Sequence, residues 1–487
     1  MTIAFAWIAL IIYVACTGFM VLFSVVQLDL TRRFLLGGKK AATAPLTGSH
    51  PLVTIQLPMY NERFVAGRLM EAVERIDWPA DRLEIQVLDD STDETTMVVT
   101  EHAARMMAAG LDVKLIRRTT RTGFKAGALA EGLSTAGGAF IAIFDADFVP
   151  APDFLNKTIP LFQEERVGTV QARWGHLNSD VNLLTRLQAL GLDAHFTIEQ
   201  QARSSSGCFL NFNGTCGVWR KSCIIDAGGW RDVTLTEDLD LSYRAQLNGW
   251  RIAYLEDLTV PGELPERMDA LKAQQYRWTK GGAETARLLM GTVLRANLPA
   301  GKKIHAVMHL SASALFPAIF LAGLSSLVLQ WTGAPAALEG LLGMASVGFL
   351  GFLSVSLFYL ASISKNPGNR LWHLPLFLTV SMGLSLHNAV AVVEGWLGRR
   401  TPFIRTPKVS SADGHKLRSA EKSYRSVAGA GFMIELLLGG MYVVAVVHEI
   451  NSGTFGFLLF HGMLAAGYCA TGGYSLMEVL TNRRWKE

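Results

Sequence analysis

Hydrophobic positions are distributed unevenly along the chain. Thr2–Leu28 is a stretch of 27 residues without a charged side chain. Five more apolar stretches follow the middle of the chain: Ile304–Leu338, Gly340–Ser364, Leu371–Val393, Ser426–His448 and Ile450–Met477. About 20 apolar residues cross a hydrocarbon core, so these stretches predict membrane helices. Between them the period changes. Val53–Leu57, Leu83–Leu88, Val113–Ile116, Phe140–Phe144 and Gly168–Gln171 are apolar runs of strand length. Helical spacing fills the intervals at about Glu62–Ile76, Glu94–Ala109, Lys125–Ser134 and about Pro152–Glu165. Strand-helix alternation predicts an α/β domain, a mostly parallel Rossmann-like sheet with helices on both faces. In such sheets ligands sit at the carboxyl ends of the strands.

Charge sharpens the division. Residues 49–303 hold 60 of the 86 charged side chains and carry a net charge of −4, leaving +8 for the apolar remainder. The basic excess is therefore a membrane-surface feature, and nothing points to nucleic acid. Thr2–Leu28 has no basic start and is longer than the about 7–15 apolar residues of a cleaved signal peptide. It reads as a retained anchor. Arg32, Arg33, Lys39 and Lys40 follow it, which places the next residues in the cytoplasm. Loop 398–427 holds eight basic residues against Asp413 and Glu421, and the chain ends near Arg483, Arg484 and Lys486. Both fall inside only if Leu371–Val393, with His373, Pro375, His387 and Asn388, lies in the interface instead of crossing.

The expected organisation is an anchor at 1–30, a linker at 31–49 and a cytoplasmic domain at 50–300. Two membrane helices at 304–364 follow, then an interfacial or re-entrant helix at 371–397 and a basic loop at 398–427. Two more membrane helices occupy 428–480, with a tail at 481–487. Glu435 lies within an apolar span, where a carboxylate costs about 2.5–3.5 kcal/mol on insertion scales. It reads equally as a hydrogen-bonded structural residue and as a pore-lining one. Cys208, Cys216 and Cys223 are eight and seven residues apart, without metal-type pairing, and read as reduced thiols.

The acidic clusters carry the chemistry. Asp89-Asp90-Ser91 ends the second predicted strand and Asp145-Ala146-Asp147 the fourth. Taken singly, the first is an ordinary turn or helix cap. Two carboxylates directly behind Phe140-Ile-Ala-Ile-Phe144 are costlier to place. They suit a hard divalent cation that screens phosphate oxygens. No glycine-rich phosphate loop of the GxxxxGK[ST] or GxGxxG type occurs, which favours a metal-bridged diphosphate. Thr236-Glu237-Asp238 opens a helical pattern, as a capping cluster also would. Gln274-Gln275-Tyr276-Arg277-Trp278 offers a guanidinium for phosphate and an indole face for a sugar ring; an interfacial helix anchored by Trp and Lys has the same composition.

The order Asp-Asp-Ser, Asp-x-Asp, Thr-Glu-Asp, Gln-x-x-Arg-Trp resembles the processive, membrane-integrated family 2 glycosyltransferases, which include cellulose, hyaluronan and chitin synthases. The wording between the motifs is similar to the cellulose-synthase-like mannan and glucan synthases of groups A and C: LPMYNE (57–62), IQVLDDSTD (85–93), GFKAGAL (123–129), AIFDADFVP (142–150), VQARWGHLNSD (170–180), FNGTCGVWR (212–220) and LTEDLDLSYRA (235–245). The resemblance covers about residues 50–290 strongly. It continues weakly to FIRTPK (403–408), which resembles the family's gating loop with Arg405 in place of Val.

The resemblance implies a GT-A-type domain inserted in an α-helical transmembrane domain of a bacterial inner membrane or its equivalent. It implies that Asp89 and Asp90 contact the nucleoside, Lys125 lies near the nucleotide, and Asp145 and Asp147 hold Mg2+ or Mn2+. It makes Asp238 the general base, with Glu237 beside it. Arg277 would add charge at the leaving group, Trp278 would stack under the acceptor sugar, and Gln274 and Thr236 would line the acceptor side. Phe403, Thr406 and Lys408 would belong to the gating loop. The implied reaction is inverting, processive elongation of a β-1,4-glucan, mannan or glucomannan from UDP-glucose or GDP-mannose, with translocation of the product. The implied partners are the nucleotide sugar, a glycan acceptor, membrane lipids and accessory secretion subunits. Transfer to a lipid acceptor such as diacylglycerol or ceramide is the alternative enzyme reading, and a non-catalytic membrane scaffold is the alternative of a different class.

Overall fold

The computed structural model describes residues 2–37, 46, 48–332, 345–366, 371–401 and 431–484. The first helix, α1 (Thr2–Leu35), is followed by β1 (Val53–Met59), α2 (Ala66–Glu74), β2 (Leu83–Asp89), α3 (Thr95–Ala108), β3 (Asp112–Ile116), α4 (Phe124–Thr135), β4 (Phe140–Ile143) and α5 (Phe154–Thr158). Then come β5 (Val167–His176), α6 (Leu183–Ala194), α7 (Gln201–Ser205), β6 (Gly217–Arg220), α8 (Lys221–Asp226), α9 (Glu237–Leu247), β7 (Arg251–Gly262) and α10 (Met268–Arg295). The remainder is helical: α11 (Ala300–Leu310), α12 (Leu315–Thr332), α13 (Ala345–Ile363), α14 (His373–Gly383), α15 (Ser385–Trp396), α16 (Gly431–Ser452) and α17 (Leu458–Arg484).

The seven strands form one sheet in the order β3-β2-β1-β4-β6-β5-β7. It is mostly parallel, as the alternation predicts; β6 runs antiparallel to both β4 and β5. Strand pleating divides the core into two layers. Val53, Ile55, Leu57, Phe140, Ala142 and Phe144 pack on the face carrying Leu69, Val73, Val99 and Met106 of α2 and α3. Ile141 and Ile143 face the layer built by Leu129 of α4, Ile224 of α8 and Leu241 of α9. Polar side chains buried in β1 and β2 pair across the strands. Gln56 Nε2 donates to Gln86 Oε1 at 3.0 Å and Thr54 Oγ1 to Glu84 Oε2 at 2.6 Å.

Three local differences from the predicted elements have physical causes. The helix expected at about 152–165 is α5 followed by a tighter turn, Ile159–Gln163. Pro160 lacks the N–H that a continuing α-helix would use. The strands β6 and β7 have no counterpart among the five predicted runs. β6 is only four residues long. In β7 the register against β5 slips between Leu255 and Thr259, so that Glu256 and Asp257 interrupt the apolar pattern. The helix expected across Ile304–Leu338 is divided. α11 ends at Leu310, and Ala306 and Leu310 pack on Phe209, Tyr243 and Val293 of the α/β domain and α10. Tyr243 accounts for the break, since its hydroxyl bonds to His309 Nδ1 at 2.8 Å and the Ala306 carbonyl at 3.1 Å, holding α11 against the domain.

Among the described residues, three helices are long and apolar enough to cross a membrane: Ala4–Leu35, Ala312–Thr332 and Gly431–Ser452. Gly351–Ile363 is a shorter apolar helix. α14 and α15, which occupy the stretch doubted as a span, are apolar together but bend by 49° where they meet. α17 covers most of the last expected span but falls outside that apolar set. It buries His461, Thr471 and Ser475 and extends to Glu478, whose carboxylate accepts the backbone N–H groups of Met268 and Asp269. Glu435 is buried and accepts both its bonds from Lys272 Nζ, at 2.8 and 2.7 Å. Of its two readings, the structural one is the one observed.

Candidate active site

A cleft of about 210 Å³ opens at the carboxyl ends of β1, β2 and β4, between the start of α9 and the first turns of α10. Asp90, Lys125, Asp145, Asp147 and Glu237 line it. Asp238, Thr236, Gln274, Arg277 and Trp278 line it as well. Ten residues from five separated segments thus line one cleft. Asp89 is not part of it. Its carboxylate is fully covered, and accepts from Arg117 Nε at 3.1 Å and from the Ser91 N–H at 3.0 Å. Phe403, Thr406 and Lys408 lie outside the described residues.

Local backbone geometry explains the clustering. β1 and β2 are paired in register up to Met59 and Asp89, and the Asp90 N–H closes the ladder on the Met59 carbonyl at 3.0 Å. This fixes Asp90 at the strand end, where Arg118 grips both carboxylate oxygens. Gly123, at φ +71°, starts α4 and brings Lys125 over the cleft. Lys125 Nζ lies 2.6 Å from Asp145 Oδ1, donates to the Gly214 carbonyl at 2.9 Å and stands 3.9 Å from Glu237 Oε1. Burial pulls its pKa down, but Asp145 and Glu237 outweigh that and leave it raised.

The acids at the start of α9 have separate fates. Asp240 is fully buried and held by Arg231 and Arg244, so it is structural. Glu237 and Asp238 face the cleft. Asp238 Oδ1 accepts the Leu239 N–H at 2.8 Å. Burial, followed by the neighbouring Glu237 charge, pushes the Asp238 carboxyl up to about 7 against the opposing pull of Lys125. Glu237 is raised too, mainly by burial. A carboxylate poised near neutrality can both exist in its basic form and take a hydroxyl proton.

Several contributing residues carried no signal as isolated positions. Asn213 and Gly214 line the cleft between Lys125 and Asp238. Gly214 has φ +82°, and a Cβ there would lie 2.9 Å from Asp238 Oδ2. Buried Gln171 accepts the Asn213 N–H at 2.9 Å, and His195 Nε2 lies 3.1 Å from Asn213 Oδ1. Tyr60 and Arg121 also line the cleft, the guanidinium carbon 3.3 Å from the Tyr60 ring centroid. The FNGTCG and MYNE wordings contained Asn213, Gly214 and Tyr60, but wording alone assigns no role.

Among the described residues no group of three or more His, Cys, Asp or Glu converges as a metal site. The donor set at the cleft is two carboxylates, Asp145 and Asp147, with the Asp145 N–H fixed by Thr215 Oγ1 at 2.8 Å. That is a fitting set for Mg2+ or Mn2+ shared with a diphosphate, because such ions keep waters and take only one or two carboxylates plus phosphate oxygens.

A second cavity, about 670 Å³, lies between α1, α6, α10, α12, α13, α14 and the start of α17. Leu192, Gln274 and Trp278 line both cavities. Its wall is mainly apolar and rich in aromatic rings, including Tyr13, Phe316, Phe352 and Phe377.

A sheet of this order, with its acidic strand ends facing one cleft, is a GT-A-type domain. Residues 50–281 match the family model described as glycosyltransferase like family 2. Glucomannan 4-beta-mannosyltransferase 7 of Arabidopsis thaliana is 45% identical over 255 residues, which cover 51% of this chain and 46% of that one. Glucomannan 4-beta-mannosyltransferase 1 of Oryza sativa subsp. japonica is 45% identical over 269 residues, covering 54% and 52%. The chain thus spans about half the length of these curated relatives. The solved mannosyltransferase PcManGT of Pyrobaculum calidifontis, in complex with GDP-Man and Mn2+, superposes with a TM-score of 0.53 at 21% identity. It covers 74% of this chain and 98% of its own, a likeness of fold.

Proposed function

We propose that the chain is an inverting, processive β-glycosyltransferase that elongates a mannan, glucomannan or glucan from a nucleotide sugar. The relatives named as glucomannan mannosyltransferases favour GDP-mannose as donor, with UDP-glucose the second candidate. The observation that carries processive elongation is the position of Gln274 and Trp278 in the walls of both cavities. A sugar stacked on Trp278 has the transfer cleft on one side and a long aromatic-lined cavity on the other. The product leaves through that second cavity.

The transfer is one in-line displacement at the anomeric carbon. Asp238 takes the proton of the acceptor hydroxyl as that oxygen attacks. Its carboxylate lies beside Gly214 in the wall of the cleft. Asp145 and Asp147 would hold a divalent cation, which when bound stabilises the leaving diphosphate. Lys125 and Arg277 add positive charge to the same cleft. Asp90 keeps the nucleoside end ordered through Arg118, whereas the covered carboxylate of Asp89 acts on Arg117 and not on the nucleoside. Trp278, Gln274 and Thr236 position the acceptor.

In the membrane, α1, α12, α13, α16 and α17 cross, and α14–α15 lies at the cytoplasmic interface. The 49° bend and the exposed Arg399 and Arg400 that follow it support this placement. Basic residues then share the cytoplasmic side with the catalytic domain. Segment 403–408 serves as the gating segment, and transfer itself does not depend on secretion subunits, since every acid the chemistry uses is on this chain.

Transfer to a lipid acceptor is the second reading, favoured by the apolar wall of the larger cavity. Membranes carrying the chain, incubated with labelled GDP-mannose or UDP-glucose and Mg2+ or Mn2+, decide between them. Glycanase-digestible polymer is expected. Label extracted wholly into organic solvent makes the acceptor a lipid, and absence of transfer from either donor contradicts both.

A further inference from the structure

The catalytic helix α10 is gripped on the side turned away from the cleft. Lys272, Tyr276 and Lys280 are spaced by four and form one stripe. Lys272 Nζ donates to Glu435 of α16 and, at 2.9 Å, to Ser475 Oγ of α17. Tyr276 bonds through its hydroxyl to Glu394 of α15. Lys280, fully buried, donates to Thr401 Oγ1 at 2.8 Å and stands 3.6 Å from Glu394. The start of the helix is held as well: Glu478 of α17 accepts from Met268 N–H at 2.9 Å and from Asp269 N–H at 3.2 Å. Gln274, Arg277 and Trp278 occupy the same turns but face the cleft.

A covered ion pair such as Lys272–Glu435 adds little net stability over apolar side chains of equal volume, because both charges lose their hydration. What such a pair does well is to define one register, since a slipped helix leaves both charges buried and unpaired. The stripe meets two different partners, α16–α17 at Lys272 and α15 at Lys280, within 12 Å of helix length at about 1.5 Å per residue. Rotation and sliding of α10 are therefore both opposed. The side chains that gain from a fixed register are those on the opposite face, above all Trp278 at the junction of the two cavities.

We infer that Lys272, Glu435, Ser475 and Glu478 are positioning residues that set how long a growing glycan stays docked on Trp278, so that the last two helices determine product length. This inference rests on the polymerase reading above. Product length is the ratio of elongation to release, and a less constrained Trp278 raises release without touching the acids of the cleft.

The test compares wild type with Glu435→Gln and Ser475→Ala in membranes, measuring product length by gel filtration and the KM for GDP-mannose or UDP-glucose. A merely structural role lowers the amount of active enzyme, which changes yield but neither length nor KM. Products shortened by about threefold or more in Glu435→Gln, the scale on which a displaced side chain alters a binding step, at unchanged donor KM are expected. Ser475→Ala, which removes only a neutral partner of Lys272, should show the same direction at smaller amplitude. Unchanged length in Glu435→Gln overturns the inference; where that variant does not fold, unchanged length in Ser475→Ala does so. Wild-type membranes that make no polymer overturn the polymerase reading itself.

Discussion

Asp238 occupies the space that any side chain at position 214 would need: a Cβ built on Gly214 falls 2.9 Å from Asp238 Oδ2 and 3.5 Å from Lys125 Nζ. The backbone there is left-handed, at φ +82°, where a side chain costs about 1–2 kcal/mol. Gly214 thus sets the position of Asp238 and of Lys125, which pairs with Asp145. Gly214→Ala should fold, with a modest loss of thermal stability, and lose about 10²-fold in turnover through displacement of Asp238. Steady-state kinetics beside a melting curve checks this. A fully active alanine variant would show that the base tolerates displacement.

The Asp238 carboxyl, raised to about 7 by burial and by Glu237, makes turnover pH-dependent in a stated direction. As the proposed base it works only when ionised, so kcat/KM, which reports the free enzyme, should rise with pH to a plateau above about 7. Asp238→Asn should abolish that limb and reduce transfer by about 10²–10⁴-fold, the range of general-base catalysis. Nucleotide binding, measured calorimetrically, should survive.

The same shift has a consequence for stability. A carboxyl raised in the folded state binds its proton more tightly there than in the unfolded chain, where the reference is about 3.9. Between those values the folded state holds more protons, so stability falls as pH rises towards 7. Asp238→Asn should therefore melt higher than wild type above about pH 7, and the gap should close as pH falls towards 4. Melting curves without nucleotide or metal test the sign.

Asp145→Asn and Asp147→Asn should each raise the Mn2+ or Mg2+ concentration for half-maximal transfer by at least about tenfold, as loss of a direct ligand exceeds typical losses from outer partners. Metal titrations of transfer give the comparison. Asp89→Asn should leave that concentration unchanged, because its carboxylate is engaged by Arg117 and closed to the cleft.

The place of three acids in the cleft was legible because each follows an apolar run. Asp90, Asp145 and Asp147 are placed by strand ends, and a strand end is a local signal. The same signal misled at Asp89, since side chains alternate along a strand and only one of two adjacent acids can face the cleft. The Gly214 backbone and the support from His195 and Gln171 depend on contacts between distant segments and leave no periodic trace. The polar stripe of α10 was hidden for a related reason: Lys272 reads as an exposed lysine until Glu435, far along the chain, is brought beside it. β7 was obscured by its own bulge, where Glu256 and Asp257 interrupt the alternation.

The proposed synthesis of a β-linked polymer from a nucleotide sugar depends on Asp238 as the base. Its most direct test is the labelled product of wild type and Asp238→Asn membranes supplied with GDP-mannose or UDP-glucose, digested with endo-β-1,4-mannanase and endo-β-1,4-glucanase. The account predicts high-molecular-weight label from wild type that at least one of the enzymes reduces to oligosaccharides, and none from the variant. Equal polymer from both proteins, or wild-type label that neither enzyme digests, would contradict it.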